Sequence, residues 1–126
     1  MKTAKNPFIV DVRNYIDAGQ RLIDGVSTFN EMNADALEEL EGGMTLTESF
    51  AIRDSADWSR RVNSLLEDFE ARRRQARESA VIALVEEGHN ASSVADAFGT
   101  TRQWASRLLK AAQTAPEATV PTTSGA

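Results

Sequence analysis

The sequence predicts an all-α protein: a long N-terminal helical hairpin suited to oligomerisation, a C-terminal unit of three short helices, and a disordered tail. Three observations carry that expectation. Apolar residues recur at steps of three and four in successive stretches between Phe8 and Ala112. Ala, Glu, Leu and Arg are frequent, aromatic residues make up only 6% and β-branched runs are scarce, so propensity favours helix over strand. Glycines and hydroxyl or Asp/Asn residues punctuate the periodic stretches, where helices stop and start.

The first helix is expected from Phe8 to Leu40. One apolar row runs through Phe8, Val12, Tyr15, Gly19, Leu22 and Val26 and on to Leu40, and an adjoining row through Ile9, Ile16, Ile23 and Leu37. Two rows make a face wider than a minimal coiled-coil seam, so this helix packs on more than one neighbour. Gly19 and Gly25 each lower helix propensity by about 1 kcal/mol relative to Ala. They read either as tolerated glycines in a packed helix or as marks of a kink or close crossing. Gly42-Gly43 ends the element. Thr45-Leu-Thr-Glu48 matches a capping box, so a short helix restarts over 46–53, and Asp54 and Ser55 offer caps for the next.

From Ala56 to Glu87 there is neither proline nor glycine, and Trp58, Val62, Leu65, Leu66 and Phe69 keep the helical period. Beyond Phe69 the pattern thins into Glu-Ala-Arg-Arg-Arg-Gln, which is either the solvated middle of one helix or a junction between two. Placing the boundary there gives residues 1–70 as a helical oligomerisation or interaction region and 71–113 as a second domain. Residues 114–126, with two prolines and no periodicity, form the tail.

In the second domain a helix from Arg74 to Glu87 is stopped by Gly88. A second runs from Ser92 to Phe98, capped by Ser92 or Ser93. Gly99 turns the chain, and Thr100 or Thr101 caps a third helix over 102–112. Val81, Leu84, Val85, Val94, Phe98, Ala105 and Leu108 form the expected core, and Ala95 falls where two helices cross closely. This is the trihelical helix-turn-helix layout, whose last helix is the reader.

The run Ser93-Val-Ala-Asp-Ala-Phe-Gly-Thr-Thr-Arg-Gln-Trp-Ala-Ser-Arg-Leu-Leu109 resembles the helix-turn-helix of bacterial regulators, resolvases and homeodomain-like proteins. In these a small residue, a glycine four positions later, a hydroxyl cap and an Arg-Gln pair recur in this order. The likeness covers about residues 74–112. It implies a bacterial or phage DNA-binding protein in which Thr101, Arg102, Gln103, Ser106 and Arg107 face the major groove. Gln suits adenine N6 and N7, and Arg suits guanine O6 and N7. Lys110 and the Thr101 hydroxyl are set for phosphate. The pattern has departures: Thr100 replaces a usual aliphatic residue, Ala105 is small, and Trp104 is bulky. Trp104 either fills the volume Ala105 leaves or lies on the DNA rim. The cluster Arg72, Arg73, Arg74 and Arg77 either tracks phosphate or pairs with Asp68, Glu70 and Glu78.

Charge is divided along the chain. Residues 1–70 hold seven Lys/Arg against fourteen Asp/Glu, and residues 71–126 seven against five, so the net charge of −5 belongs to the first part. The basic surplus accompanies the candidate reading helix. There is no cysteine, which excludes disulfides, thiol catalysis and cysteine-ligated zinc. No apolar run approaches the roughly 20 residues that span a bilayer, and no secretory signal is evident, so a cytoplasmic protein is expected. His89 stands alone in a loop, and Glu38, Glu39 and Glu41 read as a solvated face. No phosphate loop or dinucleotide turn occurs. No catalytic residue, cofactor or metal ligand is assigned.

These readings lead to a small DNA-binding transcriptional regulator. Its partners are double-stranded DNA and its own copies, as a homodimer or higher oligomer. Two alternatives stand beside it. One is a helical interaction or assembly module that binds another helical protein through residues 8–40. The other is a phage packaging or plasmid partition component.

Overall fold

A computed structural model describes residues 3–114. They form five α-helices and no strand: α1 Lys5–Glu41, α2 Leu46–Ile52, α3 Ser55–Glu86, α4 Ala91–Phe98 and α5 Arg102–Thr114. The protein is all-α, as its sequence predicts. Apart from Thr114, which closes α5, the expected tail lies outside the described residues.

Local chemistry sets the helix ends. Thr45 accepts from the Glu48 N–H at 3.1 Å while the Glu48 carboxylate accepts from the Thr45 N–H at 2.9 Å, so the capping box that opens α2 is complete. Asp54 caps α3 by accepting from the Asp57 N–H at 3.1 Å. α3 then runs as one helix through residue 71. Ion pairs stitch the arginine-rich stretch along the helix surface: Arg72 with Asp68 at 3.5 Å and Arg73 with Glu70 at 2.9 Å.

The chain divides into two compact units. One is Arg13–Arg73. Here α1 and α3 run antiparallel, since rising numbers on α1 meet falling numbers on α3. Tyr15 packs on Phe69 with ring centroids 5.1 Å apart, Arg21 pairs with Asp68 at 3.0 Å, and Gly25 lies under Leu65. A Cβ on Gly25 would collide with the Leu65 side chain, so this glycine marks a close helix approach.

The same unit holds α2 against the last turns of α1 through a polar cluster. Arg53 donates to both carboxylate oxygens of Glu39 at 2.8 and 2.6 Å, and the buried Ser49 hydroxyl donates to Glu39 at 3.0 Å. Glu39 is therefore a structural acid, not part of the solvated face its neighbours suggested. The Arg53 hydrogen bonds hold its carboxyl below the ordinary value; partial burial opposes this, and Ser49 adds to it.

Among the described residues, the other unit joins the opening turns of α1, through Val12, to the chain from Arg74 to Thr114. The Glu86 carboxylate accepts from the Ala4 N–H at 3.0 Å and so satisfies a free donor at the start of α1, whose first turn has no acid of its own. One helical stretch further on, Ser79 Oγ donates to Asp11. These opening turns thus group with the C-terminal helices, a grouping that the expected region 1–70 does not anticipate.

Candidate nucleic-acid interface

The end of α3, α4 and α5 close around a small core. Val81, Val94, Ala95 and Ala105 are buried, and Leu84, Phe98, Trp104, Leu108 and Leu109 pack around them. Val85, expected in this core, is exposed. α3 ends two residues before Gly88, so Val85 sits in the last turn, where the helix C-terminus meets solvent.

The turn between α4 and α5 follows from three residue types. Asn90 caps α4 by accepting from the Ser93 N–H at 3.0 Å; the expected caps, Ser92 and Ser93, lie inside the helix. Gly99 has φ 63° and ψ 41°, in the left-handed region that glycine enters without Cβ strain. Its N–H and that of Thr100 close the helix onto the carbonyls of Asp96 and Ala95, at 3.3 and 2.9 Å. Thr101 Oγ1 then accepts from the Trp104 N–H at 3.1 Å and opens α5. Ala95 and Ala105, both buried, hold α4 and α5 close because neither brings volume to the contact.

The polar side of α5 is left outward. Arg102, Gln103, Ser106, Arg107 and Lys110 are all exposed, as is Thr101 before them. At 100° per residue the five helical positions fall within an arc of about 140°, opposite Ala105 and Leu108. Arg102, Gln103, Ser106 and Arg107 line an open depression of about 480 Å³. It joins two guanidinium groups, an amide and a hydroxyl, the donors and acceptors that base edges require.

Most of the remaining expected residues make contacts within the chain. The Trp104 ring meets Phe98 edge-on, with centroids 5.7 Å apart and planes at 64°. Arg77 lies over the Trp104 ring at 5.5 Å, and its buried Nε has no hydrogen-bond partner among the described residues. Of the arginine cluster, Arg72 and Arg73 are ion-paired and Arg77 is packed, while Arg74 is exposed. His89 is exposed in its loop, and no group of three metal-binding side chains occurs among the described residues. No helix of the described residues is long and apolar enough to cross a membrane.

The sequence pattern missed the Glu39–Arg53–Ser49 cluster. Its signal is the diglycine turn followed by a capping box, which folds α2 back toward the end of α1. No protein-family model, curated protein or solved structure matches the chain.

Proposed function

We propose that this chain is a small cytoplasmic DNA-binding protein, a transcriptional regulator of bacterial or phage type, that reads the major groove with α5. The observation that carries the reading is the exposed face of Arg102, Gln103, Ser106 and Arg107 on a helix whose opposite side is locked by Ala105. A rigid helix with that face suits insertion into a groove, with bidentate contacts from Arg and Gln. In this reading α4 and α5, with the end of α3, form a trihelical helix-turn-helix domain, and α1 with α3 forms the helical hairpin that assembles copies of the chain. One such domain buries little area on DNA, so two half-sites read by a dimer or higher oligomer supply affinity. The same reading covers a phage packaging or plasmid partition component, which binds DNA and assembles by the same surfaces.

Fluorescence polarisation with duplexes selected from random DNA, at several salt concentrations, tests the proposal. Binding that weakens with salt and is lost in Arg102→Ala/Arg107→Ala is the expected result. A chain that binds no duplex at low salt would instead be an assembly module. Exposed Ile16, Ile23 and Leu37 on α1 favour that second reading.

A further inference from the structure

One apolar row of α1 lies uncovered in the unit Arg13–Arg73. Ile16, Ile23 and Leu37 are 66%, 63% and 56% exposed, although side chains of this kind gain most from burial. They share a seven-residue spacing that Asn30 completes. Three residues beyond each member lie Gly19, Val26, Asn33 and Leu40, all but Asn33 half-buried. The two rows alternate by three and four over four heptads, the pattern of a coiled-coil seam. From Ile16 to Leu40 the seam is about 37 Å long at 1.5 Å per residue.

We propose that this seam is the contact between two copies of the chain, paired parallel and in register through Ile16, Ile23, Asn30 and Leu37. Asn30 selects the occupant. An amide carries both donor and acceptor, so it is satisfied across a seam by an identical amide and stranded by an apolar residue. Parallel pairing in register sets Asn30 against its own copy. Antiparallel pairing of the same four residues sets it against Ile23.

Charge is compatible with a second copy. The acids Asp17, Asp24, Glu31 and Glu38 each follow a seam residue and lie about 100° round the helix, off the contact. Asp17 pairs with Arg21 at 2.9 Å, and Asp24 accepts from Gln20 at 3.0 Å. Between that acidic row and the seam, about 40° round the helix, Gln20, Ser27 and Ala34 carry no charge. A basic partner helix would draw on the acidic row, whereas the Asn30 amide beside uncharged positions suits self-pairing. The proposal rests on the self-assembly in the reading above and not on DNA contact by α5.

Sedimentation equilibrium of the full chain without DNA tests it. The expected mass is twice that of the chain, falling to a single chain in Ile16→Lys/Ile23→Lys with helical circular dichroism retained, since both positions are exposed in one copy. The chain has no cysteine, so Asn30→Cys introduces a single thiol, and mild oxidation is expected to link nearly all of it as a dimer. A monomeric wild-type chain overturns the proposal, as does a dimer that survives the double lysine variant. A dimer that cross-links through Ile23→Cys/Asn30→Cys but not through Asn30→Cys alone overturns the parallel register. Arg102→Ala/Arg107→Ala is expected to keep the dimer mass, so failure of DNA binding and failure of the seam read out separately.

Discussion

The guanidinium of Arg77, on α3, lies 5.5 Å from the centre of the Trp104 ring, on α5, while Phe98 of α4 meets the same ring edge-on. One indole therefore ties three helices together, and its body adds packed area to a core whose buried residues are two valines and two alanines. Because Trp104 is half-buried, Trp104→Ala is expected to cost about 2–4 kcal/mol, near the lower end of large aromatic truncations. Urea unfolding followed by circular dichroism measures it, and Trp104→Phe should retain most of the stability. A Trp104→Ala variant that keeps its unfolding midpoint but loses DNA affinity would show that the ring serves DNA and not the core.

Gly99 takes φ 63° with open space where a Cβ would stand, so substitution there costs backbone strain alone. Gly99→Ala is expected to lose about 1–2 kcal/mol, and Gly99→Asn less, because Asn tolerates the left-handed region better. Thermal unfolding of the three proteins checks the order. If Gly99→Ala is neutral, the turn between α4 and α5 adopts another conformation at no cost.

Much of the helix pattern was legible because it depends on neighbours in sequence. Thr45 with Glu48, and Gly99 followed by Thr101, are local chemistry, and each does in the structure what its spacing implies. Asn90, Ser92 and Ser93 are all residue types that cap helices, and only the geometry shows which oxygen meets the Ser93 N–H. The fate of the arginines was legible in part: pairing of Arg72 with Asp68 follows from their spacing, but stacking of Arg77 on Trp104 joins residues far apart in sequence. Glu39 illustrates the limit most clearly. Nothing local separates it from Glu38, yet α2 returns to place Arg53 and Ser49 against it alone.

That cluster makes stability depend on acid pH. The Glu39 carboxyl titrates below its ordinary value of about 4.5 because Arg53 hydrogen-bonds its charged form. A lowered folded value means that the unfolded chain binds the proton first as pH falls. The stabilisation is therefore fully present at neutral pH and is lost as pH drops from about 4.5 through the lowered folded value. Glu48, lowered by the Thr45 backbone N–H and hydroxyl, acts in the same direction and window. Glu39→Gln is expected to lower the midpoint at pH 7 and to flatten its fall below pH 4.5. Melting curves from neutral to acid pH decide it; parallel curves for wild type and Glu39→Gln would remove Glu39 from this role.

The α5 face makes separable predictions for DNA. Gln103→Ala and Arg107→Ala, if these residues read bases, should weaken binding to a selected duplex by roughly 10- to 100-fold and relax discrimination at one position each. Lys110→Ala, if Lys110 meets phosphate, should weaken binding to all sequences alike and reduce the slope of log affinity against log salt by about 0.9. Arg73 offers an internal comparison, because its guanidinium is engaged by Glu70 at 2.9 Å. Arg73→Ala is therefore expected to leave affinity nearly unchanged. Polarisation titrations across salt concentrations separate these classes. If every α5 variant shifts affinity uniformly and none alters sequence preference, α5 holds DNA without reading it, and specificity must come from elsewhere in the assembly.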